Sequence, residues 1–155
     1  MSSLNGERYA QSISGVKMME AAAVSGKLRT LNEKYTILAI LAADDEILGP
    51  KLPKNCTVLD AYVRISSSLG GTGIVSLGYK ASSSGDTVED ADAFLLAVNA
   101  GGQAVINRPG DANNVMPAGI GKYFSESVQT FLKCTEVSTE ATGVTLEWVI
   151  FYSID

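Results

Sequence analysis

The side chains best suited to chemistry in this sequence are its carboxylates. Four of them, Asp86, Glu89, Asp90 and Asp92, crowd into one short segment. Carboxylate oxygens at alternating positions suit Ca²⁺, a hard cation that prefers oxygen ligands. The order does not fit an EF-hand loop, however, and no glutamate closes it at the twelfth position. The plainer reading is acids at a helix N-terminus, where they oppose the macrodipole favourably. No metal site is assigned. Asp60, Glu126 and Glu147 could supply the carboxylate pair of a glycosidase, but such a pair meets only in the folded chain. Each sits on an expected strand or strand edge, where an outward solvated charge explains it.

Other chemistry is excluded more firmly. There is no histidine, so the commonest general base and a common metal ligand are missing, and no Ser-His-Asp or Cys-His site can be built. The stretch GGTGIVSLGYK spaces Gly73 and Gly78 as a phosphate loop would, but Tyr79 stands where the lysine belongs. The two cysteines, Cys56 and Cys134, match no zinc spacing and make no disulfide framework. Buried reduced thiols are expected, with a bridge left open. Asn55-Cys56-Thr57 is a formal glycosylation sequon, but the N-terminus MSSLNGERYA has no secretory apolar stretch to route it. We therefore expect no catalytic residue, no cofactor and no enzyme.

Composition bounds the partners. The chain has 155 residues, 46% hydrophobic and 19% charged, which suits one ordered domain. Net charge is −5 and no basic run exists, so direct nucleic-acid binding is not expected. No apolar run approaches a membrane span. A soluble protein made in a cytoplasm is the expectation.

The elements that must position these residues are strands. Residues 1–26 are small and polar with spaced apolar positions and read as an arm that orders on a partner surface; residues 27–155 form one β-domain. Strands are expected at 27–31 and 35–41. Gly49-Pro50 and Pro53 should stop regular structure. Residues 57–65 alternate clearly, with Leu59, Ala61, Val63 and Ile65 on one face and Val58, Asp60, Tyr62 and Arg64 on the other. A Gly-rich loop at 66–73 then returns the chain as a hairpin partner at 74–79. Thr87 or Asp90 could cap a short helix through Val98. Residues 103–106 read as a short strand and 109–121 as a projecting loop. Residues 128–137 and 144–152 read as a final hairpin with Trp148 in the core. About eight short strands between turns argue for an all-β, mainly antiparallel β-sandwich or jelly-roll-like barrel, with one short helix and an extended N-terminal arm.

The order LPKNCTVLDAYVRI, SLGGTGIVSLGY, DADAFLLAV resembles the decoration, or cement, proteins of tailed-bacteriophage capsids. The residues that carry the likeness are Leu52-Pro53, 58–65, Gly70 to Gly73, Leu77-Gly78 and 90–98. The strands GKLRTL, KYTILAIL and VTLEWVIFYSID also fit, so it covers about residues 26–155. These residues shape a fold, and none is a catalytic signature. The resemblance implies a homotrimer on the capsid exterior that binds the major capsid protein and locks neighbouring subunits against internal DNA pressure. The contact residues would be Leu4, Tyr9, Ile13, Val16 and Met18 of the arm, Lys51 and Lys54, and Asn113, Asn114 and Met116. The alternative is another virion component, such as a head-fibre base, a tail adaptor or a receptor- or glycan-binding module. The glycan version would need exposed aromatics, for which Tyr62, Tyr79 and Tyr123 are candidates.

Overall fold

A computed structural model describes residues 27–38, 45–70, 73–99, 105–107, 116–134 and 141–154. The described chain is antiparallel throughout its pairings and forms two sheets. Nine strands run in order: β1 (Lys27–Thr36), β2 (Asp45–Leu52), β3 (Cys56–Ile65), β4 (Ile74–Tyr79), β5 (Asp90–Asn99), β6 (Val105–Asn107), β7 (Tyr123–Phe124), β8 (Val128–Cys134) and β9 (Thr145–Ile154). One sheet has the order β1-β9-β3-β6, with β7 also on β3; the other has the order β2-β8-β4-β5. The inward side chains of both meet in one core that includes Trp148, Leu146, Ile150, Leu77, Leu132 and Val75. The sandwich expected from strand count and turn spacing is present.

Several local expectations are corrected. Residues 27–36 make one strand, because the polar stretch Asn32-Glu33-Lys34 lies on a sheet edge and β9 pairs with it without a break. Gly49-Pro50 does not end β2. It sits at a register shift between Leu48 and Lys51 on an edge strand, where a missing N–H is tolerated. β4 is no hairpin partner of β3, since the Gly-rich loop carries the chain to the other sheet, where β4 pairs with β5 and β8. The expected final hairpin is likewise split: β8 lies in one sheet and β9 in the other.

The helix expected from Thr87 or Asp90 to Val98 is strand β5. An apolar run this short fits either structure. Pairing with β4 decides it, with register shifts on both sides of Leu77. In β3 the expected faces hold only from Ala61 onward. A register shift between Val58 and Asp60 absorbs Leu59 as an extra residue, so Val58 joins the core and Leu59 is 47% exposed.

A turn closes one side between the sheets. The Gly119 N–H donates to the Ala93 carbonyl of β5 at 2.7 Å, and the Gly121 N–H donates to the Val58 carbonyl of β3, also at 2.7 Å. Beneath this turn Tyr79, Phe94 and Phe124 form an aromatic cluster, with centroids 5.0 Å apart and an edge-on ring geometry for Tyr79–Phe124. The Lys122 ammonium contacts the Tyr79 hydroxyl and lies 4.6 Å from its ring centroid, so this cluster is roofed by a cation.

Candidate interaction surface

The described residues offer chemistry little and recognition more. Among them no group of three or more His, Cys, Asp or Glu could hold a metal ion. Asp60 accepts the Ala61 N–H at 2.8 Å. Glu147 lies 3.9 Å from the Arg64 guanidinium. Glu126 accepts hydroxyl hydrogen bonds from Ser82 at 2.9 Å, from Thr87 at 3.0 Å and from Ser84. Each of these three carboxylates thus has a local structural partner. Cys56 and Cys134 are both buried thiols, one in each sheet, and no disulfide joins them. Burial, with Asp45 adding to it, pushes the Cys134 thiol up to about 11, so it stays protonated and unreactive at neutral pH.

One end of the sandwich gathers polar loops. The β2–β3 turn holds exposed Lys54 and Asn55, the latter at a φ of 57°, a left-handed conformation that Asn tolerates. The Tyr123 hydroxyl donates to Asn55 Oδ1 at 3.0 Å. The Ser127 hydroxyl donates to the Leu52 carbonyl at 2.7 Å, which ties this turn to the start of β8. Beside it the β4–β5 loop docks on Glu126 through its three hydroxyls. Hydrogen bonding by Ser84 lowers the Glu126 carboxyl below its ordinary value, against a smaller opposing effect of burial and with help from Ser82 and Thr87. A depressed carboxyl contributes stability above its unfolded value of 4.5 and loses it as pH falls through the folded value. Glu126→Gln should therefore lower the melting temperature near neutral pH, and its gap from the parent should close on acidification below that range. A gap that is flat with pH in thermal melts would remove the linkage.

A second polar knot lies on the outward face of the β2-β8-β4-β5 sheet. The Lys80 ammonium contacts Glu46, lies 3.3 Å from Glu89 and sits 4.5 Å from the Phe131 ring centroid. Burial pulls Lys80 down, but its hydrogen bonds to Glu46 and Glu89 outweigh that and raise it overall.

The outward face of the other sheet mixes aromatic and charged residues. Register places Thr30, Phe151 and Asp60 in one row, Asn32, Val149 and Tyr62 in the next, and Lys34, Glu147 and Arg64 in the third. Tyr62 and Phe151 pack against each other with centroids 6.2 Å apart and ring planes tilted by 39°. A shallow depression of about 180 Å³ opens at the charged row, lined by Lys34, Arg64, Ser66, Thr145 and Glu147.

The structure places the sequence candidates unevenly. Lys51 is exposed on edge strand β2 and Lys54 in the turn that follows it. Met116 is 59% exposed, just before the turn that bridges β3 and β5. Leu4, Tyr9, Ile13, Val16, Met18, Asn113 and Asn114 lie outside the described residues. Of the three tyrosines weighed for glycan contact, Tyr79 is core, Tyr62 is half-buried and Tyr123 is 50% exposed. Sequence reading missed exposed Val88 and the half-buried Tyr62–Phe151 pair, which flanks buried Val149. Outward residues of β9 alternate visibly, yet only register puts them beside those of β3.

The sequence matches no family model and no curated protein. Solved structures share the fold. The chain is similar to one in "Capsid of Ralstonia phage GP4", with a TM-score of 0.63 and 20% identity over 91% of this chain and 93% of that one. It is also similar to a chain in "Cyanophage Pam1 capsid asymmetric unit", with a TM-score of 0.55 and 9% identity over 85% and 88% of the two chains. The fold of this protein is thus one found, nearly end to end, in chains of two phage capsid structures.

Proposed function

We propose that this chain is a structural protein of a phage virion, and within the virion a decoration protein on the outside of the head. The observation that carries the reading is the shared fold with chains of two phage capsid structures over almost the whole length of each. A shell component is selected for shape and surface, and that matches carboxylates held in local hydrogen bonds. On this reading the partner is the major capsid protein, the chain works as a homotrimer, and no enzymatic step is involved. Each copy would bury surface on more than one shell subunit, so that multivalency raises avidity without new contacts.

The test is occupancy. The purified chain should bind expanded heads of the phage that encodes it and raise their thermal or osmotic resistance. Deleting residues 1–26 should lower occupancy, and Lys54→Glu should weaken it. Heads that take up no chain, in an assay where they retain their major subunit, would overturn the decoration role.

A further inference from the structure

We propose that residues 1–26 turn back over the apolar end of the β1-β9-β3 outward face, seating Met18 and Met19 on Leu59 and Tyr123. Register builds that end from two rows. The outer row runs Leu28, Ser153, Thr57 and Tyr123 across β1, β9, β3 and β7, and the next holds Thr30, Phe151 and Asp60. The bulge in β3 adds Leu59 between them. Leu28 is 65% exposed, Tyr123 50% and Leu59 47%, and Phe151 is half-buried. Asp60 is the one charge in the two rows, and its carboxylate accepts the Ala61 N–H. Apolar side chains gathered in this way mark a contact surface, whereas singly scattered ones do not.

The occupant follows from where the chain enters the sheet. Residues 1–26 lead directly into Lys27, and Leu28 is the first member of the outer row. Ser25-Gly26, just before it, is a turn pair, since glycine admits the backbone conformations that a reversal needs. Adjacent strands are about 4.8 Å apart, so the row spans about 14 Å from β1 to β7. The stretch from Met19 to Ser25 reaches about 23 Å when extended, which covers the row and leaves length for the turn. It is also small where the row is small. Ala21, Ala22 and Ala23 cross Ser153 and Thr57, and the methionines arrive at Tyr123 and Leu59, where a thioether packs well on an aromatic ring.

A tether this short holds the segment over the face at an effective concentration of about a millimolar, so a modest apolar contact closes it without a second molecule. The contact belongs to the purified chain and does not rest on the virion reading.

The experiment is limited trypsin digestion of the full chain, with cleavage after Lys17 followed by mass spectrometry. Lys17 lies beside the docked methionines, and cleavage tracks the population of the opened segment. Leu59→Glu and Met19→Ser, one on each side of the contact, should each speed this cut about tenfold or more over wild type. Val88→Glu, an exposed apolar position on the β4–β5 loop, should leave it unchanged. Positions 59 and 88 are exposed, so circular dichroism should show unchanged folds. The wild-type rate should hold constant across about a hundredfold range of chain concentration, as an intramolecular contact requires. A wild type cut as fast as the variants would overturn the contact and leave the face to another partner. Protection that survives both substitutions would overturn it by placing the segment elsewhere. Protection that appears only at high concentration would overturn it by assigning the segment to a second copy.

Discussion

Gly78→Ala should be among the most damaging single-methyl changes available in this protein. A Cβ at Gly78 would lie 2.0 Å from the Asp90 carbonyl oxygen and 2.5 Å from the Ala91 carbonyl carbon. Both are main-chain atoms of the neighbouring strand, so no side-chain rotation relieves the clash. The β4–β5 pairing must open where its register already shifts twice. Overpacking of this kind costs about 3 kcal/mol or more, or a fall of roughly 6–12 °C in melting temperature for a domain of this size. Gly85→Ala is the informative control. Its φ of +80° strains an alanine, but its Cβ would meet nothing within 4 Å, so it should cost much less. A Gly78→Ala protein that melts within a degree or so of its parent would show that β5 yields freely.

Trp148→Ala should lose about 3–5 kcal/mol, as expected for removing a fully buried indole. Trp148→Phe should lose less than half as much, for a specific reason. Among the described residues the buried Trp148 Nε1–H has no hydrogen-bond partner, and phenylalanine removes that unmet donor, worth about 1–3 kcal/mol, while keeping most of the ring. The indole is held against the β2 backbone. A Cβ at Gly49 would meet Trp148 Cζ2 at 2.7 Å and the Thr130 hydroxyl at 2.8 Å. Gly49→Ala should therefore be harmful alone and less harmful in the Trp148→Phe background. Denaturant midpoints of the four proteins in this cycle measure the coupling, and strict additivity would show that the two sites do not touch in solution.

These positions also mark how far the sequence could be read. The alternation of β9 and the placement of Trp148 were legible, because period-two burial is a property of one strand alone. Sheet membership was not. β3 and β4, and later β8 and β9, are neighbours in sequence with alternating patterns, and nothing in either pattern says that the chain changes sheets between them. The helix expected from Asp90 failed for a related reason: DADAFLLAV is short enough for either structure, and the deciding fact is the bare backbone at Gly78, which lets β5 approach. Gly49-Pro50 looked like a stop because proline lacks a donor. On an edge strand that donor would have faced outward, and the bulge absorbs the rest. The candidate surface was legible only as single residues such as Lys54 and Met116. Its Tyr62–Phe151 pair exists only through the register of β9 on β3.

The pairing of Lys27 with Ile154 has a mechanical consequence. The first and last described strands lie side by side and antiparallel, so their outer ends leave the sandwich at the same point. Tension applied between those ends meets hydrogen bonds that run perpendicular to the strands, and loads them one at a time. The seam opens like a zipper and resists weakly. Load applied through the sheet faces or the β2–β3 turn would bypass this seam, whereas load applied between the outer ends of β1 and β9 would open it.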